Sequence, residues 1–166
     1  GLAAGDMSEL AWRDVECWTG EGGAELGTRR EVPNTRDLYA VSRALEDNHI
    51  DALLVIGGYS AYEGIYTMTT ERDRYPAFRI PTVCIPASID NNLPGSELSI
   101  GADSALNVIV EAMDKVKESG IASRRCFVVE TMGRDCGYLA LMSGIAAGAE
   151  RIYTNEDGIS LDDLAN

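Results

Sequence analysis

Short β-type apolar runs alternate along this chain with segments of helical period, the pattern of βαβ units, and predict an α/β fold with a mainly parallel sheet. Two further observations agree. The 166 residues are 45% apolar, enough for one globular domain with a real core. Polar clusters also close the apolar runs, and in open parallel sheets ligands gather at the carboxyl ends of the strands.

The first thirty residues are glycine-rich and irregular, with Trp12, Val15 and Trp18 as expected anchors. A helix then opens near Asn34 or Thr35, either of which can cap it, and turns Leu38, Val41 and Leu45 inward. Strands are expected over Ala52–Ile56, Thr82–Ile85, Cys126–Glu130 and Arg151–Thr154. The clearest amphipathic helix is Ala102–Ser119, with Ala102, Leu106, Ile109, Met113 and Val116 on one face and Glu111, Asp114, Lys115 and Glu118 on the other. Gly137–Ala149 reads as a buried helix of small residues, and a new helix begins at Leu161–Leu164. No repeat or linker divides the chain, and both ends read as cut from something longer.

Charge and cysteine usage narrow the partners. A formal charge of -13 repels phosphate backbones and anionic lipid, which argues against nucleic acid and membrane surfaces; a phosphorylated ligand would need a few local cations. Cys17, Cys84, Cys126 and Cys136 form no CxxC pair, and Cys84 and Cys126 lie in apolar runs that favour buried free thiols and a reducing, cytoplasmic setting. There is no apolar stretch of about 18 residues and no secretory leader.

Three loops carry candidate chemistry. Gly57-Gly58 follows a strand and precedes a helix, so it serves either a tight turn or the approach of backbone amides to a phosphate. Ser88-Ile89-Asp90-Asn91-Asn92 ends the Thr82 strand. There Asp90 can accept a hydroxyl proton during phosphoryl transfer, or it can join Asn92 in bonding nearby backbone. Met132-Gly133-Arg134-Asp135 ends the third strand, where Arg134 can fork onto a phosphate or pair with Asp135 or Glu130. Arg124 and Arg125 stand at that strand's other end, where they read as solvated surface residues and could reach this ligand only from another subunit; His49 reads as a surface residue.

These residues share an order. Trp12 to Val15, Gly22 to Arg30, Val55-Ile56-Gly57-Gly58-Tyr59, Ile85 to Gly95, Ile100-Gly101-Ala102-Asp103 and Val129-Glu130-Thr131-Met132-Gly133-Arg134 resemble the ATP-type 6-phosphofructokinase family, specifically the C-terminal half of its long duplicated forms. The resemblance implies a Rossmann-like three-layer α/β/α sandwich and transfer of a phosphoryl group from ATP to the 1-hydroxyl of fructose 6-phosphate in glycolysis. It makes Asp90 similar to the general base, with Arg134 as its catalytic companion. Ser88, Asn92, Met132, Gly133 and Arg134 become sugar-phosphate contacts, and Arg125 resembles an arginine lent to a neighbouring subunit. Arg30, Gly57, Gly58 and Gly64 match the nucleotide side, and no residue is assigned to a metal.

The departures from the family pattern also carry implications. Tyr59 stands where ATP-dependent members hold an aspartate associated with magnesium, which removes local charge for Mg2+ and ATP. Asn92 replaces an aspartate common in active members, and Ala87 stands where pyrophosphate-dependent relatives carry lysine. The implied alternative is a regulatory half that binds a fructose bisphosphate effector without turnover; a second is an unrelated nucleotide-binding α/β domain. A family half is roughly twice this length, near the limit of about 250–300 residues for one core. Residues 1–166 are thus expected to be a single-domain fragment, lacking an N-terminal nucleotide loop and a C-terminal sugar-phosphate segment and inactive alone. The parent is expected to be a cytoplasmic homo-dimer or tetramer.

Overall fold

The computed structural model describes residues 1–29, 36–158 and 160–165; of Leu161 and Leu164 only the backbone is described. The elements in order are α1 (Trp12–Val15), α2 (Leu38–Asp47), β1 (Leu53–Gly57), α3 (Tyr59–Thr70), β2 (Thr82–Pro86), α4 (Ala102–Ser123), α5 (Tyr138–Ala147) and α6 (Leu161–Ala165), with short 3-10 turns at Leu2–Ala4, Glu16–Gly20 and Pro76–Arg79. Strands β1 and β2 pair. The Leu53 N–H donates to the Pro81 carbonyl at 2.9 Å and the Ala87 N–H to the Gly57 carbonyl at 3.0 Å, which sets the strands parallel with Leu53 opposite Thr82. This is the predicted α/β arrangement of parallel strands and helices. No described helix is long and apolar enough to cross a membrane.

The described residues group into two compact units, Gly1–Val55 with Ser60–Cys84, and Ile56–Tyr59 with Ile85–Asn166. In the first, α2 buries Leu38, Val41 and Leu45, the three positions its period selects, against Met68 of α3 and Phe78 of the Pro76–Arg79 turn. Leu2 packs against the same cluster. The candidate caps Asn34 and Thr35 lie outside the described residues. Trp12 is 81% exposed and anchors nothing, while Val15 and Trp18 are half-buried. A four-residue helix is too short to present an apolar face, so the indole at its first position projects outward.

In the second unit α4 and α5 pack together. Ala102, Leu106, Ile109, Met113 and Val116 form the shielded side of α4, as its period predicts, and the helix continues to Ser123. Lys117 reaches from α4 to the end of α5, where its ammonium donates to the Ala147 and Gly148 carbonyls at 3.1 and 3.3 Å. α5 buries Leu139, Ser143, Gly144 and Ala147 but leaves Leu141, Met142 and Ile145 exposed, so it is not buried on all sides as its composition suggested.

Two expected strands take a different form. Neither Cys126–Glu130 nor Arg151–Thr154 joins a ladder among the described residues. Their large side chains lie against helix glycines instead: a Cβ on Gly120 would stand 3.2 Å from the Phe127 ring, and one on Gly144 2.7 Å from Ile152. Phe127, Val128 and Val129 nonetheless remain exposed, so the first run predicts neither a ladder nor burial among the described residues. Cys126 is consequently exposed, against expectation, although all four thiols are free.

Glu156 closes the start of α5. Both its carboxylate oxygens accept from the Gly137 N–H, at 2.9 and 3.0 Å, and this bond holds the carboxyl below its ordinary value of 4.5. A carboxyl lowered in the folded state stabilises above its unfolded pKa, and that contribution disappears as pH falls through the folded value. Glu156→Gln is therefore expected to flatten the pH dependence of urea stability below about pH 4.5, with the variant and wild type converging in acid. Parallel curves across that window would show that the carboxylate contributes no pH-dependent stability.

Candidate functional site

The loops that follow β1 and β2 meet within the second unit. Gly57 is held in the sheet by Ala87, and neither Gly57 nor Gly58 has a positive φ, so no left-handed turn requires them. Gly58 packs against the next loop: a Cβ there would stand in ordinary contact, 3.4 Å from the Ala87 carbonyl and from Ser88 Cβ. Tyr59, the first residue of α3, is exposed.

Beyond β2 the chain leaves at Ser88 and returns at Ile100, which forms a parallel bridge with Ala87 and donates its N–H to the Pro86 carbonyl at 2.9 Å. Local polar bonds hold the excursion in shape. Ser88 Oγ accepts from the Asp90 N–H at 3.3 Å. Asn91 is left-handed at φ 51°, accepts from the Ser99 N–H at 2.8 Å and donates to the Glu97 carbonyl at 3.1 Å. With those tasks taken by Ser88 and Asn91, the half-buried Asp90 carboxylate has no hydrogen-bond or ion-pair partner among the described residues.

Asn92 connects this loop to the next candidate. Its amide nitrogen donates to the Arg134 carbonyl at 3.0 Å, across 42 residues of sequence, and Cys136 Sγ points to the Asn91 carbonyl at 3.9 Å. Asn92 Oδ1 is buried with no partner among the described residues, an acceptor left open. The Arg134 loop is itself tightly folded. A Cβ on Gly133, at φ 156°, would run into the Cys136 carbonyl, and Asp135 is left-handed at φ 52°. Arg134 is exposed and makes no ion pair among the described residues, so the expected alternative of a salt bridge to Asp135 or Glu130 is not formed. An unpaired guanidinium and an unpaired carboxylate on two joined loops suit a ligand with an anionic group and a hydroxyl.

The remaining sequence candidates are dispersed. Met132 is exposed next to Gly133. Arg124 and Arg125 end a helix, not a strand: Arg124 takes the left-handed cap of α4 at φ 50°, and the Arg125 N–H donates to the Gly120 carbonyl at 3.1 Å. Gly64 is buried inside α3 in the first unit, His49 is exposed after α2, and Arg30 lies outside the described residues. Sequence reasoning missed Asn91 and Glu156. The tolerance of asparagine for positive φ was a usable signal for the first, whereas nothing local marks a carboxylate that reaches back 19 residues to Gly137.

Among the described residues no metal centre is assembled. Tyr59 offers a neutral phenol beside the glycine pair, and among the described residues no three His, Cys, Asp or Glu converge as cation ligands.

Parallel strands with polar loops gathered at their carboxyl ends define an α/β domain of the ligand-binding kind. The family model for phosphofructokinase matches residues 1–166, and the chain belongs to that family. It is 46% identical to the ATP-dependent 6-phosphofructokinase of Schistosoma mansoni over 99% of its own length and 21% of that protein's. Among solved structures, the phosphofructokinase of Saccharomyces cerevisiae superposes with TM-score 0.90 at 42% identity, covering 95% of this chain and 21% of the other. That of Pichia pastoris in the T-state gives 0.88 at 41% identity, covering 94% and 18%. The chain thus spans about a fifth of the length of the relatives it matches.

Removing the bridge between the loops tests whether it organises them. Asn92→Ala is expected to speed exchange of the Gly137 amide, the bonded N–H that closes the segment 132–137, by up to about fivefold, the equivalent of one hydrogen bond of ~1 kcal/mol. Unchanged exchange of that amide would mean that the Arg134 loop holds its shape without Asn92.

Proposed function

We propose that this chain is part of a longer ATP-dependent 6-phosphofructokinase, in which Asp90 and Arg134 act on fructose 6-phosphate. Phosphofructokinase membership supports the reading, and the observation that carries it is the pair of uncommitted charges on two loops tied together by Asn92. The Asp90 carboxylate takes the proton of the sugar 1-hydroxyl as that oxygen bonds to the γ-phosphorus and the bond from phosphorus to ADP breaks. The Arg134 guanidinium binds phosphate, with the backbone at Met132 and Gly133 shaping its approach. Asn92 Oδ1 accepts from a sugar hydroxyl, Ser88 contacts the sugar phosphate, and Gly57 and Gly58 line the donor side. Arg125, exposed at the end of α4, is free to reach a neighbouring subunit of a cytoplasmic dimer or tetramer.

A second reading is favoured by Tyr59, which is 59% exposed beside the glycine pair and brings no charge to a nucleotide phosphate. Under it the same loops hold a fructose bisphosphate effector without turnover.

Asp90→Asn in the full-length protein separates the two. The kinase reading expects kcat to fall about 10²- to 10⁴-fold with the affinity for fructose 6-phosphate nearly unchanged. An unchanged kcat would remove Asp90 from the chemistry and leave the effector reading.

A further inference from the structure

The Arg134 loop is held from one side by Asn92; its other end is held by a residue that no functional role accounts for. Gly137 follows Arg134-Asp135-Cys136 directly and is buried. Its N–H is taken by both oxygens of Glu156, at 2.9 and 3.0 Å. The fit leaves no room for a larger residue: a Cβ on Gly137 would collide with Thr154 Cβ and stand 2.6 Å from Glu156 Oε2. The carboxylate is itself placed by a closed turn. Thr154 Oγ1 bonds Asp157 Oδ2 at 2.8 Å, the Asp157 N–H donates to Thr154 Oγ1 at 3.3 Å, and the Gly158 N–H donates to the Thr154 carbonyl at 3.2 Å.

We infer that Glu156 is a positioning residue for the phosphate-binding Arg134 loop, clamping its C-terminal end through the Gly137 N–H while Asn92 clamps its middle through the Arg134 carbonyl. The inference rests on the reading of Arg134 as a sugar-phosphate contact. With both clamps in place the loop can shift at neither point, and the guanidinium is presented from a fixed backbone. The Glu156 carboxylate is occupied by the Gly137 N–H and is not counted as a ligand contact. Its influence on the ligand is therefore indirect and falls on ground-state affinity for the sugar phosphate more than on the reacting bond.

The test uses Glu156→Ala and Glu156→Gln in the full-length protein, the second keeping an acceptor oxygen for Gly137. Glu156→Ala is expected to raise KM for fructose 6-phosphate about tenfold, the scale of one charge-assisted hydrogen bond, while kcat and KM for ATP stay within about twofold; Glu156→Gln restores most of the loss. A KM for fructose 6-phosphate that does not move overturns the inference. So does a fall in kcat with comparable rises in both KM values that Gln fails to rescue, the mark of a merely structural role. Amide exchange without ligand supplies a second arm. Faster exchange over residues 133–137 in Glu156→Ala supports the clamp, and unchanged exchange overturns it. If the wild type neither turns over nor binds fructose 6-phosphate, the reading in the preceding subsection fails, and the exchange arm still decides whether Glu156 holds the loop.

Discussion

The candidate site depends on one side chain. Asn92 spends its amide nitrogen on the Arg134 carbonyl and thereby joins two loops that the sequence keeps 42 residues apart. A neutral hydrogen bond of this kind is worth only about 1 kcal/mol. Its effect is geometric: it sets a carboxylate and a guanidinium on neighbouring stretches of backbone without letting either neutralise the other. The internal bonds of the Asp90 loop serve the same end. Ser88 and Asn91 satisfy the backbone of the turn, so Asp90 stays uncommitted among the described residues.

Electrostatics on the rest of the second unit follow the helix dipole. α5 has a carboxylate at its N-terminus, from Glu156, and an ammonium at its C-terminus, from Lys117, each bonded to backbone groups the helix cannot satisfy itself. Both partners come from outside the helix, so they also tie α5 to α4 and to the turn after Thr154. On a chain with net charge -13, acid groups of this sort are structural, and the few uncommitted cations become informative. Arg134 is one of them, placed where the backbone is most constrained.

Much of this was legible in the sequence, for definite reasons. Helices α2 and α4 announce themselves through 3.6-residue periodicity, and Leu38, Val41 and Leu45 are buried as that periodicity requires. The strands after Ala52 and at Thr82 are bounded by glycine or proline and pair as expected. Cys126–Glu130 and Arg151–Thr154 were misleading because an apolar run does not fix its hydrogen-bond partners, and the first does not bury its side chains either; among the described residues Phe127 and Ile152 lie against Gly120 and Gly144 instead of joining a ladder. In the site, residue types singled out Asp90 and Arg134, since a carboxylate and an arginine at strand ends are chemical groups. Their freedom from local partners could not be read there, because it is a property of what Ser88, Asn91 and Asn92 bond to. Glu156 was invisible for the same reason.

The proposed function rests on one claim, that the Asp90 and Arg134 loops form a single sugar-phosphate site whose geometry Asn92 maintains; what supports it is family membership and the Asn92 bond between the loops. Calorimetric titration of fructose 6-phosphate into the full-length protein, its Arg134→Ala form and its Asn92→Ala form tests that claim most directly. The account predicts tight binding to the wild type, a loss of about tenfold or more in affinity for Arg134→Ala, and a measurable loss for Asn92→Ala, which leaves Arg134 in place but removes its support. Wild-type affinity in both variants would contradict it.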